Sequence, residues 1–111
     1  MQTISPKTHH KAEVAAGFLS AMANPKRLLI LNELVNREMA VGTLANEVGL
    51  SQSALSQHLS KLRAQNLVKT RRDAQTIYYS SSSDAVIKIL ETLRDIYGEK
   101  AADVKPQRRS A

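Results

Sequence analysis

Amide and hydroxyl side chains, without a single carboxylate, cover one short stretch of the chain between residues 51 and 61. The polar side chains of this stretch are Gln52, Ser53, Ser56, Gln57, Ser60 and Lys61. Amides and hydroxyls can read base edges in the major groove, and glutamine can pair bidentately with adenine. The serines have no accompanying histidine–acid set in a pocket, and the chain has no glycine-rich phosphate loop, so we do not expect an enzyme.

The spacing of apolar residues places this polar stretch on the second helix of a helix-turn-helix. Ser51 is a good N-cap, and the apolar face of the helix that follows is formed by Ala54, Leu55, Leu59 and Leu62. The preceding short helix has an apolar stripe of Leu44, Ala45 and Val48. Gly49 ends that helix, because a residue without a Cβ adopts positive φ at low cost. The second helix is then the one that reads DNA.

A β-hairpin is predicted directly after this helix. Residues 67–72 and 76–80 are rich in β-branched and aromatic side chains, and the short polar bridge Asp73-Ala74-Gln75 suits a turn. Side chains alternate along a strand, so one of Arg71 and Arg72 supports the hairpin while the other reaches phosphate or the minor groove. The predicted fold is mainly α with a small β-hairpin wing, a winged helix-turn-helix of order α-α-α-α-β-β-α.

The charge of the chain supports a polyanionic partner. The 111 residues carry a net charge of +6, and five basic residues but no acid lie between residues 51 and 72. Because the excess charge coincides with the helix-turn-helix and wing, we expect double-stranded DNA rather than a membrane. The chain has no cysteine, no apolar run long enough to span a bilayer and no signal-peptide core, so we expect a cytoplasmic protein without thiolate metal sites.

The predicted DNA contacts come from three places in the chain. The reading helix contributes Gln52, Ser53, Ser56, Gln57, His58 and Lys61, and the wing contributes Arg71, Arg72 and Gln75. Lys26 and Arg27 follow a helix N-terminus, which itself attracts phosphate. For His58, contact with DNA and contact with backbone both stay open. A metal-binding role is disfavoured, because its candidate partners His9 and His10 precede the first predicted helix, which starts at Lys11.

Helices are also predicted on both sides of the helix-turn-helix. One runs from Lys11 to Ala23, a second begins at Pro25 behind the N-cap Asn24, and a last one covers residues 84–97 before Gly98. We therefore expect a flexible leader over residues 1–8, a DNA-binding and dimerisation domain over residues 9–98, and a disordered tail over residues 99–111.

The apolar stripes of the first and last helices are wider than a small monomer needs. They either complete the monomer core or form a two-fold dimer, which would place two reading helices about 34–36 Å apart. The predicted dimer residues are Phe18, Leu19, Met22, Val86, Ile89, Leu90, Leu93, Ile96 and Tyr97.

In three segments the chain resembles the ArsR/SmtB family of bacterial repressors. The segments are residues 23–28 (Ala-Asn-Pro-Lys-Arg-Leu), residues 50–59 (Leu-Ser-Gln-Ser-Ala-Leu-Ser-Gln-His-Leu) and the wing at residues 71–79. With the helix order, the resemblance covers about residues 12–97. It implies a homodimeric repressor that binds an imperfect palindromic operator.

The chain departs from this family at the positions that sense metals. Many relatives carry a Cys-x-Cys pair where this chain has Ala40 and Gly42, and others bind zinc through histidines of the last helix, which has none here. We therefore expect no cofactor and no metal. Two alternatives stay open: a winged-helix module that binds protein or RNA, and a repressor gated by an unknown small ligand.

Overall fold

The computed structural model describes residues 3–98, which form five helices and one small antiparallel sheet. The elements in chain order are α1 (Pro6–Met22), α2 (Pro25–Asn36), β1 (Met39–Ala40), α3 (Val41–Val48), α4 (Gln52–Ala64), β2 (Lys69–Asp73), β3 (Thr76–Ser80) and α5 (Asp84–Tyr97). The predicted winged helix-turn-helix is confirmed, with β1 as an addition. The predicted tail over residues 99–111 lies outside the described residues.

Helix α1 begins five residues earlier than the predicted start at Lys11. The Oγ atom of Ser5 accepts a hydrogen bond from the backbone N–H of Thr8 at 3.1 Å, and Pro6 occupies the first turn. Proline suits this position because its missing N–H has no helical partner there anyway. The predicted leader boundary at residue 8 therefore falls inside a helix.

The predicted start of α2 is confirmed. The side-chain oxygen of Asn24 accepts hydrogen bonds from the backbone N–H groups of Lys26 and Arg27, at 2.9 and 3.1 Å. With Pro25 in the first turn, this cap fixes the helix start and the direction in which Lys26 and Arg27 leave it.

The turn between α3 and α4 is built as the sequence predicts. Gly49 has a φ of 73°, and the next N–H, that of Leu50, donates to the carbonyl of Ala45 at 3.0 Å. The Oγ atom of Ser51 then accepts from the N–H of Ala54 at 3.1 Å. One glycine and one serine thus end the first helix and start the second within three residues.

Helix α4 ends in a Schellman motif that leads directly into the wing. Asn66 has a φ of 60°, its N–H donates to Arg63 at 2.9 Å, and the N–H of Leu67 donates to Leu62 at 2.9 Å. Leu62 and Leu67 are both buried. Leu67 and Val68 were predicted as strand residues, but they anchor the connection in the core, and β2 begins only at Lys69.

The sheet has the strand order β1-β3-β2, with both neighbouring pairs antiparallel. Arg71 lies opposite Tyr78, and Arg72 lies opposite Ile77, across the β2–β3 pair. Strand β1, which was not predicted, adds the pair Met39 and Tyr79. Of the two adjacent tyrosines of β3, Tyr79 packs against the core.

The core lies where α2, α3, α4 and α5 meet, and its largest fully buried side chains are Ile30, Leu31, Leu34, Leu44, Leu55, Leu59, Leu62 and Val86.

Helix α5 is as predicted: the Oγ atom of Ser83 accepts from the N–H of Val86 at 3.2 Å, and the helix ends before Gly98. Val86 is 0% exposed and Met22 is 3% exposed. Their predicted place at a dimer interface stays a prediction without support in this geometry, because the single chain already encloses both side chains.

Candidate nucleic-acid interface

Helix α4 turns a polar face away from the core. Leu55, Leu59 and Leu62 are buried, whereas Ser53, Gln57 and Ser60 are exposed on the opposite side at spacings of four and three residues. We name Ser53, Gln57 and Ser60 the reader face. Ser60 was not among the predicted DNA contacts, although its spacing from Gln57 places it on the same side of the helix.

Gln52 and Ser56 are exposed beside the reader face. A Cβ atom placed on Gly42 would lie 3.5 Å from the side-chain nitrogen of Gln52, so this amide sits against the first turn of α3. The sequence predicts Gln52 as a base contact, and its place in the first turn of α4 remains compatible with that prediction.

Three nitrogen-bearing side chains meet on the other flank of α4. The Nη1 atom of Arg27 lies 3.1 Å from Nδ1 of His58, and Lys61 follows His58 on the next turn. The Nε atom of Arg27 donates to the carbonyl of Ala21 at 2.6 Å, which ties α2 to the end of α1. Burial lowers the pKa of His58, and the charges of Arg27 and Lys61 lower it further, so the surroundings favour the neutral imidazole.

The ammonium group of Lys26 is not free, because it is hydrogen-bonded within the protein. Its Nζ atom donates to the carbonyl of Val48 in the last turn of α3, close to Gly49. A cation at a helix C-terminus interacts favourably with the unpaired carbonyls there. This contact joins α2 to the turn of the helix-turn-helix, and the predicted phosphate contact of Lys26 has no support in this geometry.

The two wing arginines have different surroundings. Arg71 donates to both carboxylate oxygens of Glu38, at 2.7 and 2.9 Å, and its guanidinium lies 4.8 Å from the ring centre of Tyr78. Arg71 is thus the arginine that supports the hairpin. Arg72 is exposed on the other face of β2, and Gln75 is exposed in the turn. The DNA contacts predicted for Arg72 and Gln75 stay predictions.

The ion pair between Arg71 and Glu38 reduces the positive charge on the surface of the wing and α4. Glu38 compensates one of the five cations between residues 51 and 72. The other four are exposed and have no ion-pair partner within residues 3–98; they are Lys61, Arg63, Lys69 and Arg72. A surface with uncompensated cations around a polar helix face fits a ligand with regularly spaced negative charge.

A second exposed surface is apolar and lies on the outer helices. Ile96 is 63% exposed and Tyr97 is 81% exposed on α5, and Leu19 is half exposed on α1. Among the remaining predicted dimer residues, Phe18, Ile89 and Leu90 are partly buried against the core. Leu93 is half-buried. The last turn of α5 therefore offers apolar side chains that the single chain does not cover.

Neither a metal site nor a membrane segment is found in the described part of the chain. Residues 3–98 hold no group of three or more histidine, aspartate or glutamate side chains placed to bind a metal ion. None of their helices is both long enough and apolar enough to cross a membrane.

Comparisons with known proteins agree with this geometry. The family model for bacterial regulatory proteins of the arsR family matches residues 24–70, from the cap of α2 into β2. The nodulation protein NolR of Rhizobium meliloti is 75% identical over 108 residues, covering 96% of this chain and 88% of that protein.

Two solved structures extend the comparison to the fold. NolR from Sinorhizobium fredii superposes with a TM-score of 0.85 at 80% identity, covering 88% of this chain and 98% of that one. A homodimeric winged helix-turn-helix DNA-binding domain from Mycobacterium bovis has a TM-score of 0.75 at 27% identity, covering 86% and 89% of the two chains. These relatives are regulators rather than enzymes. The chain therefore belongs to the ArsR family of bacterial regulatory proteins.

Proposed function

We propose that this protein is a homodimeric transcriptional repressor that binds an imperfect palindromic DNA operator through α4 and the wing. The observation that carries the proposal is the reader face, three exposed polar side chains bordered by four uncompensated cations. Hydroxyl and amide groups at the centre suit base edges, and cations at the border suit phosphates. Repression follows from occlusion of the promoter by the bound dimer.

The exposed apolar end of α5 supports the dimer. Ile96 and Tyr97 have no partner surface within residues 3–98, and closed two-fold symmetry is the usual solution for such a face. The relative from Mycobacterium bovis is described as homodimeric. A two-fold dimer sets two copies of α4 about one DNA turn apart, roughly 34–36 Å, which matches a palindromic site.

The strong similarity to NolR suggests which genes are controlled. Identity of 75% over 108 residues to a protein named for nodulation supports an operator upstream of nodulation genes. Ala40 and Gly42 stand at the family's thiolate positions, so we propose that the repressor works without metal sensing. Action on a chromosomal operator entails a cytoplasmic location.

Footprinting on the DNA upstream of nodulation genes, combined with a salt titration, tests the proposal. If each subunit neutralises about three to five phosphates, log K should fall against log salt with a slope of about −5 to −9. A protected palindrome with such a slope supports the repressor. A slope near zero, or equal affinity for an RNA duplex and the operator, would favour an interaction module instead.

A further inference from the structure

The contact between Arg27 and His58 defines which nitrogen of the imidazole carries a proton. A guanidinium has only donors, so Nδ1 of His58, 3.1 Å from Nη1 of Arg27, must be the acceptor. The imidazole is then neutral, with its hydrogen on Nε2. A proton added at Nδ1 would face another donor, so protonation and the Arg27 contact exclude each other.

The surroundings of this pair contain cations but no acid. Arg27 on α2 and Lys61 on α4 have no ion-pair partner within residues 3–98, and α1 contributes the Ala21 carbonyl, which accepts from Arg27, but no charged side chain of the groove lining. His58 touches this region only through Arg27, which together with Lys61 lines an open groove of about 360 Å³. The other lining residues are Gly17, Ser20, Ala21, Ala64 and Gln65. A partly buried arginine and an exposed lysine, both without an ion-pair partner beside an open groove, favour an anionic ligand.

We propose that a DNA backbone phosphate binds at Arg27 in this groove and also contacts His58, the hydrogen-bond partner of Arg27, and that its binding is coupled to the uptake of one proton by His58. The proton comes from solvent and binds at Nδ1. The Arg27–His58 contact then opens, and both groups donate to the same phosphate through charge-assisted hydrogen bonds. This inference rests on the proposed function, because the phosphate is supplied by the operator.

The direction of the pH dependence follows from the charges facing the imidazole. In the free protein, burial, Arg27 and Lys61 together hold the pKa of His58 below the ordinary histidine value of about 6.5. A phosphate in the groove adds a negative charge and an acceptor for the protonated ring, which raises the pKa. Operator affinity should therefore increase as pH falls towards and below 6.5, by up to about tenfold per pH unit and per subunit.

Affinity measured between pH 5.5 and 8 at constant ionic strength tests this coupling. The full chain is compared with His58→Gln and with a control that replaces His9 and His10, exposed histidines of α1, by glutamine. We expect the full chain and the control to lose affinity as pH rises, and His58→Gln to be insensitive to pH. A pH-independent full chain, or an unchanged pH profile in His58→Gln, would overturn the inference and leave DNA binding itself intact.

An NMR titration of the unsubstituted chain gives a second test that does not depend on whether His58→Gln folds correctly. The His58 ring is titrated by NMR in the free protein and in the complex with operator DNA. We expect a higher pKa in the complex, and an equal or lower one would contradict the proposal. Absence of operator binding at every pH would instead reject the proposed function, so the two failures are distinguishable.

Discussion

Arg71 and Glu38, which are 33 residues apart in the sequence, form a bidentate ion pair between the wing and the residue before β1, with N–O distances of 2.7 and 2.9 Å. The hydrogen bonds from Arg71 lower the pKa of Glu38 and raise that of Arg71. The stabilisation from this pair is therefore present above the ordinary glutamate pKa and is lost as pH falls through the lowered value. At neutral pH the pair removes one positive charge from the wing.

The first prediction separates the two wing arginines. Arg72→Ala should weaken binding to operator and scrambled DNA alike and reduce the salt slope by about 1 per subunit, because Arg72 has an uncompensated charge. Arg71→Ala should leave the salt slope nearly unchanged, since Glu38 already balances its charge. Salt titrations of both variants decide this. The reciprocal variant Glu38→Gln should steepen the slope, and equal slopes for the two arginine variants would contradict the assignment.

The second prediction concerns the reader face. Gln57→Ala should cost about 1–3 kcal/mol of operator affinity and leave binding to scrambled DNA nearly unchanged, because a base-reading amide contributes only on the right sequence. Gln52→Ala should behave in the same way if its amide reaches a base. Asn32→Ala, which removes an exposed amide on α2, is the control. Equal losses on both DNAs would make Gln57 a phosphate contact.

The third prediction concerns a buried serine that holds three segments together. The Oγ atom of Ser81 donates to the carbonyl of Leu67 at 2.6 Å, and its N–H donates to that of Leu34 at 3.0 Å. Ser81 is only 6% exposed. Ser81→Ala should therefore lower the free energy of unfolding by about 1–3 kcal/mol, because the carbonyl of Leu67 loses its hydrogen-bond donor. Urea unfolding measures this effect, and Ser82→Ala at the exposed neighbour should be close to neutral.

The fourth prediction tests the dimer surface on α5. Ile96→Glu should give a folded monomer, because the side chain is largely exposed in the single chain but a charge is costly in an apolar interface. Operator affinity should fall about a hundredfold or more, since two half-sites are no longer bound together. Sedimentation and circular dichroism report the two properties. Lys88→Glu, on the exposed opposite side of α5, should stay dimeric; a dimeric Ile96→Glu would refute the surface.

The fifth prediction concerns metals. Excess zinc, cadmium or arsenite should not release the protein from its operator in a gel shift, because a sensory site needs about four ligands. Ala40 and Gly42 cannot supply any from their side chains. If zinc released the protein from DNA and a chelator reversed the release, the protein would have a metal-sensing site and the prediction would be contradicted.

Local signals account for most of the agreement between sequence and structure. Asn24, Gly49 and Ser83 act within a few residues of their own positions, so helix ends at these points could be predicted from residue type alone. The start of α1 was not predicted because Ser5-Pro6 is as typical of a loop as of a capped helix start.

Features that depend on distant partners could not be predicted in this way. Strand β1 has two residues and exists only because it pairs with Tyr78 and Tyr79. The contact of Lys26 with Val48 spans 22 residues and follows from the packing of α2 on α3. Burial of Met22 depends on the same packing, because helical spacing shows which face is apolar but not which protein surface covers it.

The connection between α4 and the wing has a consequence for how such regulators evolve. Leu67 and Val68 fix the hairpin to the core, and the Schellman turn at Asn66 fixes it to the end of α4. Ser53, Gln57 and Ser60 take no part in either attachment and bury no core surface. If these three side chains read the operator as proposed, mutations there can change the preferred target site while folding stability and wing placement are inherited unchanged, so a duplicated copy could acquire new target genes in single steps.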